Sequence, residues 1–110
     1  MESRRHSRVT CNLRAGCFWD DVFTFDEIMN VSEGGAFLQT VRPSQPKEKV
    51  SLRIFFPRVK EPFDVNGEVV WSTSRPVKKK SFSMQGIGIR FSFLEKELKN
   101  RLRKFIGSED

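Results

Sequence analysis

Phe63-Asp64-Val65-Asn66-Gly67-Glu68-Val69-Val70-Trp71-Ser72 decides the fold. Phe63, Val65, Gly67, Val69 and Trp71 alternate with Asp64, Asn66, Glu68 and Ser72. That period of two marks a strand with one face in a core and the other in water. By the same alternation Trp71 faces the core, the alternative being that it faces a ligand. Upstream, Val50, Leu52, Ile54 and Phe56 alternate with Ser51 and Arg53, a second half-buried strand. Downstream, Ile87, Ile89 and Phe91 alternate with Gly86, Gly88 and Arg90. The two glycines there imply close approach by another backbone or a ligand.

Working outward, Thr10 to Arg14 reads as a short strand. Cys17 to Val31 reads as a long one, carrying Val22, Phe23, Phe25, Ile28 and Val31. Its alternation breaks near Asp26-Glu27, which predicts a bulge or bend at that point. Glu33-Gly34-Gly35 is a turn, followed by a short strand over 36–40. Pro43 and Pro46 punctuate a loop, and residues 75–80 form a basic one. At the end, Ser92-Phe93-Leu94-Glu95 fits a capping box. Leu94, Leu98, Leu102 and Phe105 then make an apolar stripe, which predicts an amphipathic helix over about 94–106 docked on a sheet. Short strands followed by one helix point to a small antiparallel barrel, in which closure removes exposed sheet edges.

The 110 residues suit one domain, and eleven Phe with two Trp provide large buried areas. No apolar run approaches the ~18 residues of a membrane span, and no signal peptide pattern opens the chain. The reading is a cytoplasmic protein without a transmembrane segment. The formal charge of +6 favours an anionic partner without choosing its kind. Cys11 and Cys17 are too few for a disulfide framework and read as reduced structural thiols. His6 is the sole histidine, so no metal site is expected. No nucleophile and base pair up, and Asp20-Asp21 and Asp26-Glu27 are sequence neighbours that point to opposite strand faces. No catalytic residue, enzyme activity or cofactor is therefore expected.

Two short motifs carry the functional reading. Arg4-Arg5-His6-Ser7-Arg8 contains Arg-x-x-x-Arg, and Asn30-Val31-Ser32-Glu33-Gly34-Gly35 contains Asn-x-Ser-x-x-Gly. Arginine presents a planar fork of donors that fits phosphate oxygens and the O6 and N7 acceptors of guanine. Asn30 and Ser32 both donate and accept, and i, i+2 spacing on a strand would put them on one face. Gly34-Gly35 removes side chains that would block a flat base. Each motif alone says little in a basic chain. In this order and at this spacing, they look together like two halves of one nucleotide site.

With Gly67-Glu68-Val69-Val70-Trp71, Gly86-Ile87-Gly88-Ile89-Arg90-Phe91 and the final helix, the chain resembles the PilZ family from about Arg4 to Ile106. The resemblance implies a six-stranded antiparallel β-barrel with a C-terminal amphipathic helix. It implies a receptor for cyclic di-GMP, as one ligand or a stacked pair. Arg4 and Arg8 would hold phosphate and guanine, Arg5 would add a contact, Asn30 and Ser32 would meet a guanine edge, and Gly35 would keep the space open. Residues 1–9 would be a flexible ligand-binding segment, 10–106 the barrel and helix, and 107–110 a tail. Ligand binding would order the first segment and change the surface met by a downstream protein. Two other readings compete. One is a PilZ-like interaction module without ligand. The other is a basic nucleic-acid-binding barrel, disfavoured because its aromatics sit mostly at core-facing positions.

Overall fold

The computed structural model describes residues 9–73, 77–79 and 82–109. The strands are β1 (Val9–Phe18), β2 (Phe23–Val31), β3 (Gly35–Thr40), β4 (Lys49–Phe55), β5 (Phe63–Ser72), β6 (Val77–Lys79) and β7 (Phe82–Phe91). Helix α1 (Lys96–Glu109) follows. Neighbours run β3-β2-β1-β4-β5-β7, and β3 also pairs with β7, so six antiparallel strands close into a barrel. β6 extends the far end of β7. The expected barrel and C-terminal helix are both present.

The alternating stretches read from the sequence form the barrel wall. Leu52, Ile54, Val65, Val69, Ile87 and Ile89 point inward, with Leu13, Ile28 and Leu38 from the other strands. Leu98 and Leu102 of α1 are buried, and Phe105 packs edge-on against Phe56, so the helix docks by its apolar stripe. The capping box does not form. The first helical bond runs from Lys99 N–H to Glu95 C=O, and Ser92 N–H instead donates to Asn66 C=O on β5.

The N-terminal strands differ from the sequence reading. Residues 10–14 and 17–18 belong to one strand, and the expected long strand is divided at Trp19–Val22. Trp19 N–H donates to Val22 C=O to make that turn. Asp20-Asp21 is the turn, hidden in the sequence by apolar residues on both sides. The bulge lies at Met29 rather than at Asp26-Glu27: Ile28 pairs with Leu38, then Asn30 with Phe37. Further irregularities fall between Thr10 and Leu13 on β1 and at Val70 on β5.

Candidate functional site

The β1–β2 register sets the start of β1 beside the second motif. Val9 lies opposite Val31, and Thr10 opposite Asn30. Arg8 is the residue next to Val9, so the Arg motif leads directly into a strand position beside Asn30-Val31-Ser32. Arg4, Arg5 and Arg8 themselves lie outside the described residues.

Asn30 owes its direction to the Met29 bulge. Ile28 and Val31 are both fully buried, so the extra residue turns Met29 and Asn30 outward together. The same device acts on β5. Val69 is buried, Val70 is the extra residue, and Trp71 emerges 47 % exposed. The alternation that placed Trp71 in the core therefore fails one residue before it. Trp71 stacks on Phe37 of β3 with centroids 5.5 Å apart and planes 23° from parallel.

Two glycines of β7 make room for that pair. A Cβ on Gly88 would sit 2.3 Å from Trp71 Nε1, and one on Gly86 would sit 2.5 Å from Phe37 Cζ. The close approach expected at these glycines is made by aromatic rings. Asn30, Ala36, Phe37, Val70, Trp71, Gly88 and Ile89 line a recess of about 410 Å³, within the usual range for small-ligand sites. A larger recess of about 560 Å³, between α1 and residues 56–59, contains none of the motif residues.

Ser32 and Gly35 have structural duties of their own. β2 ends at Val31, so Ser32 does not share a strand face with Asn30. Ser32 is 3 % exposed, its N–H donates to Gly35 C=O, and its Oγ accepts from Gly34 N–H at 3.2 Å. A hydroxyl used as an acceptor still carries a proton to donate. A Cβ on Gly35 would meet Ile89 C=O at 2.1 Å. The space cleared by Gly35 is thus occupied by β7, and the glycine lets the barrel close. Glu33, in the same turn, accepts from Arg103 Nε of α1 at 2.8 Å, which links the motif to the helix.

Neither cysteine is in a disulfide. Cys17 is buried; burial, and then the Asp26 carboxylate, push its thiol far above the ordinary cysteine range. It stays protonated and is no nucleophile. No described helix is long and apolar enough to cross a membrane.

The chain is thus a closed six-stranded barrel capped by one helix, with a polar turn motif beside an outward aromatic recess. A sequence model described as the PilZ domain matches residues 2–108, and the chain belongs to the PilZ domain family. No curated protein sequence matches it. Among solved structures, the PilZ domain of Escherichia coli YcgR with c-di-GMP is similar at a TM-score of 0.77 and 15 % identity. That match covers 97 % of this chain and 91 % of that one. The Bacillus subtilis inhibitor of motility MotI/DgrA matches at a TM-score of 0.77 and 16 % identity. The K. pneumonia MrkH complex with c-di-GMP matches at 0.72 and 16 %. Each of these two alignments covers 96 % of this chain, which spans about half the length of MotI/DgrA and MrkH.

Proposed function

We propose that this chain is a cyclic di-GMP receptor acting as a non-catalytic adaptor in the cytoplasm. The observation that carries the reading is the β1–β2 register, which sets Val9 and Thr10, the residues that follow the Arg motif in sequence, opposite Val31 and Asn30, with Asn30 itself lining an aromatic recess. Arg4, Arg5 and Arg8 grip phosphates and a guanine edge. Asn30 offers donor and acceptor to a base, and the Phe37–Trp71 pair offers it a flat apolar surface. Such base–aromatic stacking contributes about 1–3 kcal/mol. The Ser32–Gly35 turn holds the motif in place, with Ser32 able to donate its hydroxyl proton. Two neighbours with this fold, YcgR and MrkH, are known with c-di-GMP bound, which supports the ligand class.

Ligand binding draws residues 1–9 against Asn30 and the recess. Arg4, Arg5 and Arg8 repel one another without an anion, and the phosphates relieve that repulsion. The altered surface, extended to α1 through Glu33 and Arg103, is what a downstream protein meets. Calorimetric titration with cyclic di-GMP tests the reading and gives the stoichiometry. Arg8→Ala is expected to cost about 2–3 kcal/mol of binding while the melting temperature stays put. Absence of heat at high micromolar ligand with the parent chain would overturn the receptor reading in favour of an interaction module without ligand.

A further inference from the structure

Phe18, Phe23, Phe25 and Phe55 stand on the outside of β1, β2 and β4, 46 %, 51 %, 54 % and 38 % exposed. They form one row. Ring centroids are 4.9 Å apart for Phe18–Phe23, 6.4 Å for Phe23–Phe25 and 6.0 Å for Phe25–Phe55. Gly16 lies at the middle, opposite both Phe25 and Arg53, and the Phe23 ring reaches over it. The guanidinium of Arg14 sits over Phe25 at 5.7 Å and that of Arg53 over Phe18 at 5.9 Å. Because the rings tilt and pack on one another, they make a continuous apolar surface and not separated platforms for bases. Singly exposed apolar side chains are ordinary, whereas a contiguous aromatic row marks an interface.

Charge indicates the occupant. Arg53 pairs with Asp64, and Arg14 lies opposite Glu27 in the β1–β2 ladder. Two cations and two carboxylates thus flank the row, and the whole formal +6 of the chain resides elsewhere. A strongly acidic or basic partner would select a face of one sign. A face that interleaves both signs with aromatic rings is self-complementary, as a twofold interface requires, because a second copy can set its Arg against rings or carboxylates. The closed barrel offers no edge in these strands for pairing, so face-to-face packing is the available mode. Half-exposed rings contribute roughly 400 Å² per copy, about half of one side of a standard interface, and the Arg stems and Val22 add to it. We propose that this face joins two copies of the chain into a dimer of moderate affinity, centred on Phe23 and Phe25.

Sedimentation equilibrium of the ligand-free 110-residue chain, from about 5 to 500 μM, tests this over the concentrations at which a micromolar dimer forms. The apparent mass should rise from 12.8 kDa towards twice that value. Phe25→Asp should weaken self-association at least about tenfold, as removal of a central aromatic does, with an unchanged circular dichroism spectrum. Isotope-filtered NOEs between labelled and unlabelled parent chains should connect the Phe23, Phe25 or Phe55 rings across copies, a readout that needs no variant. A parent chain that stays at monomer mass over the whole range overturns the proposal and leaves the face to a different partner. A dimer that survives Phe25→Asp, or that shows cross-copy NOEs elsewhere, overturns it as well.

Discussion

Two regions of this barrel present aromatic rings to the outside over glycine, and the backbone beneath them differs. On β3, β5 and β7, Phe37 and Trp71 lie over Gly86 and Gly88 beside Asn30. On β1, β2 and β4, Phe23 lies over Gly16 in a row with Phe18, Phe25 and Phe55. The first region contains bulges on β2 and β5, which break the pleat, open a recess and turn a polar side chain into it. Phe18, Gly16, Arg14, Phe23 and Phe25 lie on regularly paired strand, so the second face keeps its pleat. Ring exposure alone does not distinguish the recess proposed for a ligand from the face proposed for a second copy. The bulge, and the polar group that it aims, make the difference.

The largest effect that sharpens the contrast is on stability, at the end of the Phe row. Arg42 closes the β1–β2 turn there. Its Nη2 donates to Asp21 at 3.0 Å and to Glu48 at 2.9 Å, and its guanidinium lies 4.2 Å from the Trp19 ring centroid. Arg42→Ala should cost about 2–3 kcal/mol, combining charged hydrogen bonds with a partly desolvated cation–π contact. Thermal unfolding reads this directly. The hydrogen bonds from Arg42, then that from Gln45 N–H, hold the Glu48 carboxyl below its ordinary 4.5. A carboxyl lowered by folding stabilises fully above the ordinary value, and that share is lost as the pH falls through the lowered one. The gap in melting temperature between parent and Arg42→Ala should therefore be full at pH 7 and shrink below about pH 4. A constant gap would place the stabilisation in packing on Trp19 alone.

A smaller effect separates the regions by function. Trp71→Ala removes one wall of the recess without touching the Phe row. It should weaken cyclic di-GMP binding by about 1–2 kcal/mol, the scale of a base–aromatic stack, and leave self-association unchanged. Calorimetry and sedimentation on the same variant read both. Undiminished ligand affinity would move the base to another surface, and altered self-association would merge the two regions into one.

The strands over residues 49–55 and 63–72 and the apolar stripe of α1 were legible because each has a core on one side and water on the other, so periodicity alone identifies them. Asn30 and the Ser32–Gly35 turn were legible as a motif, although Gly35 turned out to clear space for β7. Phe37 was missed as a recess residue, and alternation put Trp71 in the core in preference to facing a ligand. A bulge adds one residue without a composition of its own, and Val70 looks like any strand valine. The Asp20-Asp21 turn was hidden for a related reason: Cys17 to Val31 read as one long strand on apolar residues that include Val22 and Phe23, whereas both of these face outward. Period two reports which residues share a face, and it loses count wherever the ladder gains a residue.

The smallest expected effect breaks the symmetry between the two glycine–ring devices. A Cβ on Gly16 would lie 3.1 Å from Phe23 Cε1 and 3.3 Å from Cζ, whereas one on Gly88 would lie 2.3 Å from Trp71 Nε1. Phe23 is 51 % exposed, and a shift of a few tenths of an ångström relieves its contact. Gly16 has no positive φ, so alanine fits its backbone. Alanine also removes freedom from the unfolded chain, a gain of about 0.4–1 kcal/mol that offsets the displaced ring. Gly16→Ala should then leave stability within about 0.5 kcal/mol of the parent and cyclic di-GMP affinity unchanged. Gly88→Ala must push the Trp71 indole off Phe37, so it should lower ligand affinity much as Trp71→Ala does. Denaturant unfolding and calorimetry on the two variants settle the contrast. If Gly16→Ala proves as costly as Gly88→Ala, the Phe row is a rigid surface with its rings locked in place, and the distinction between an adaptable contact face and a built recess falls.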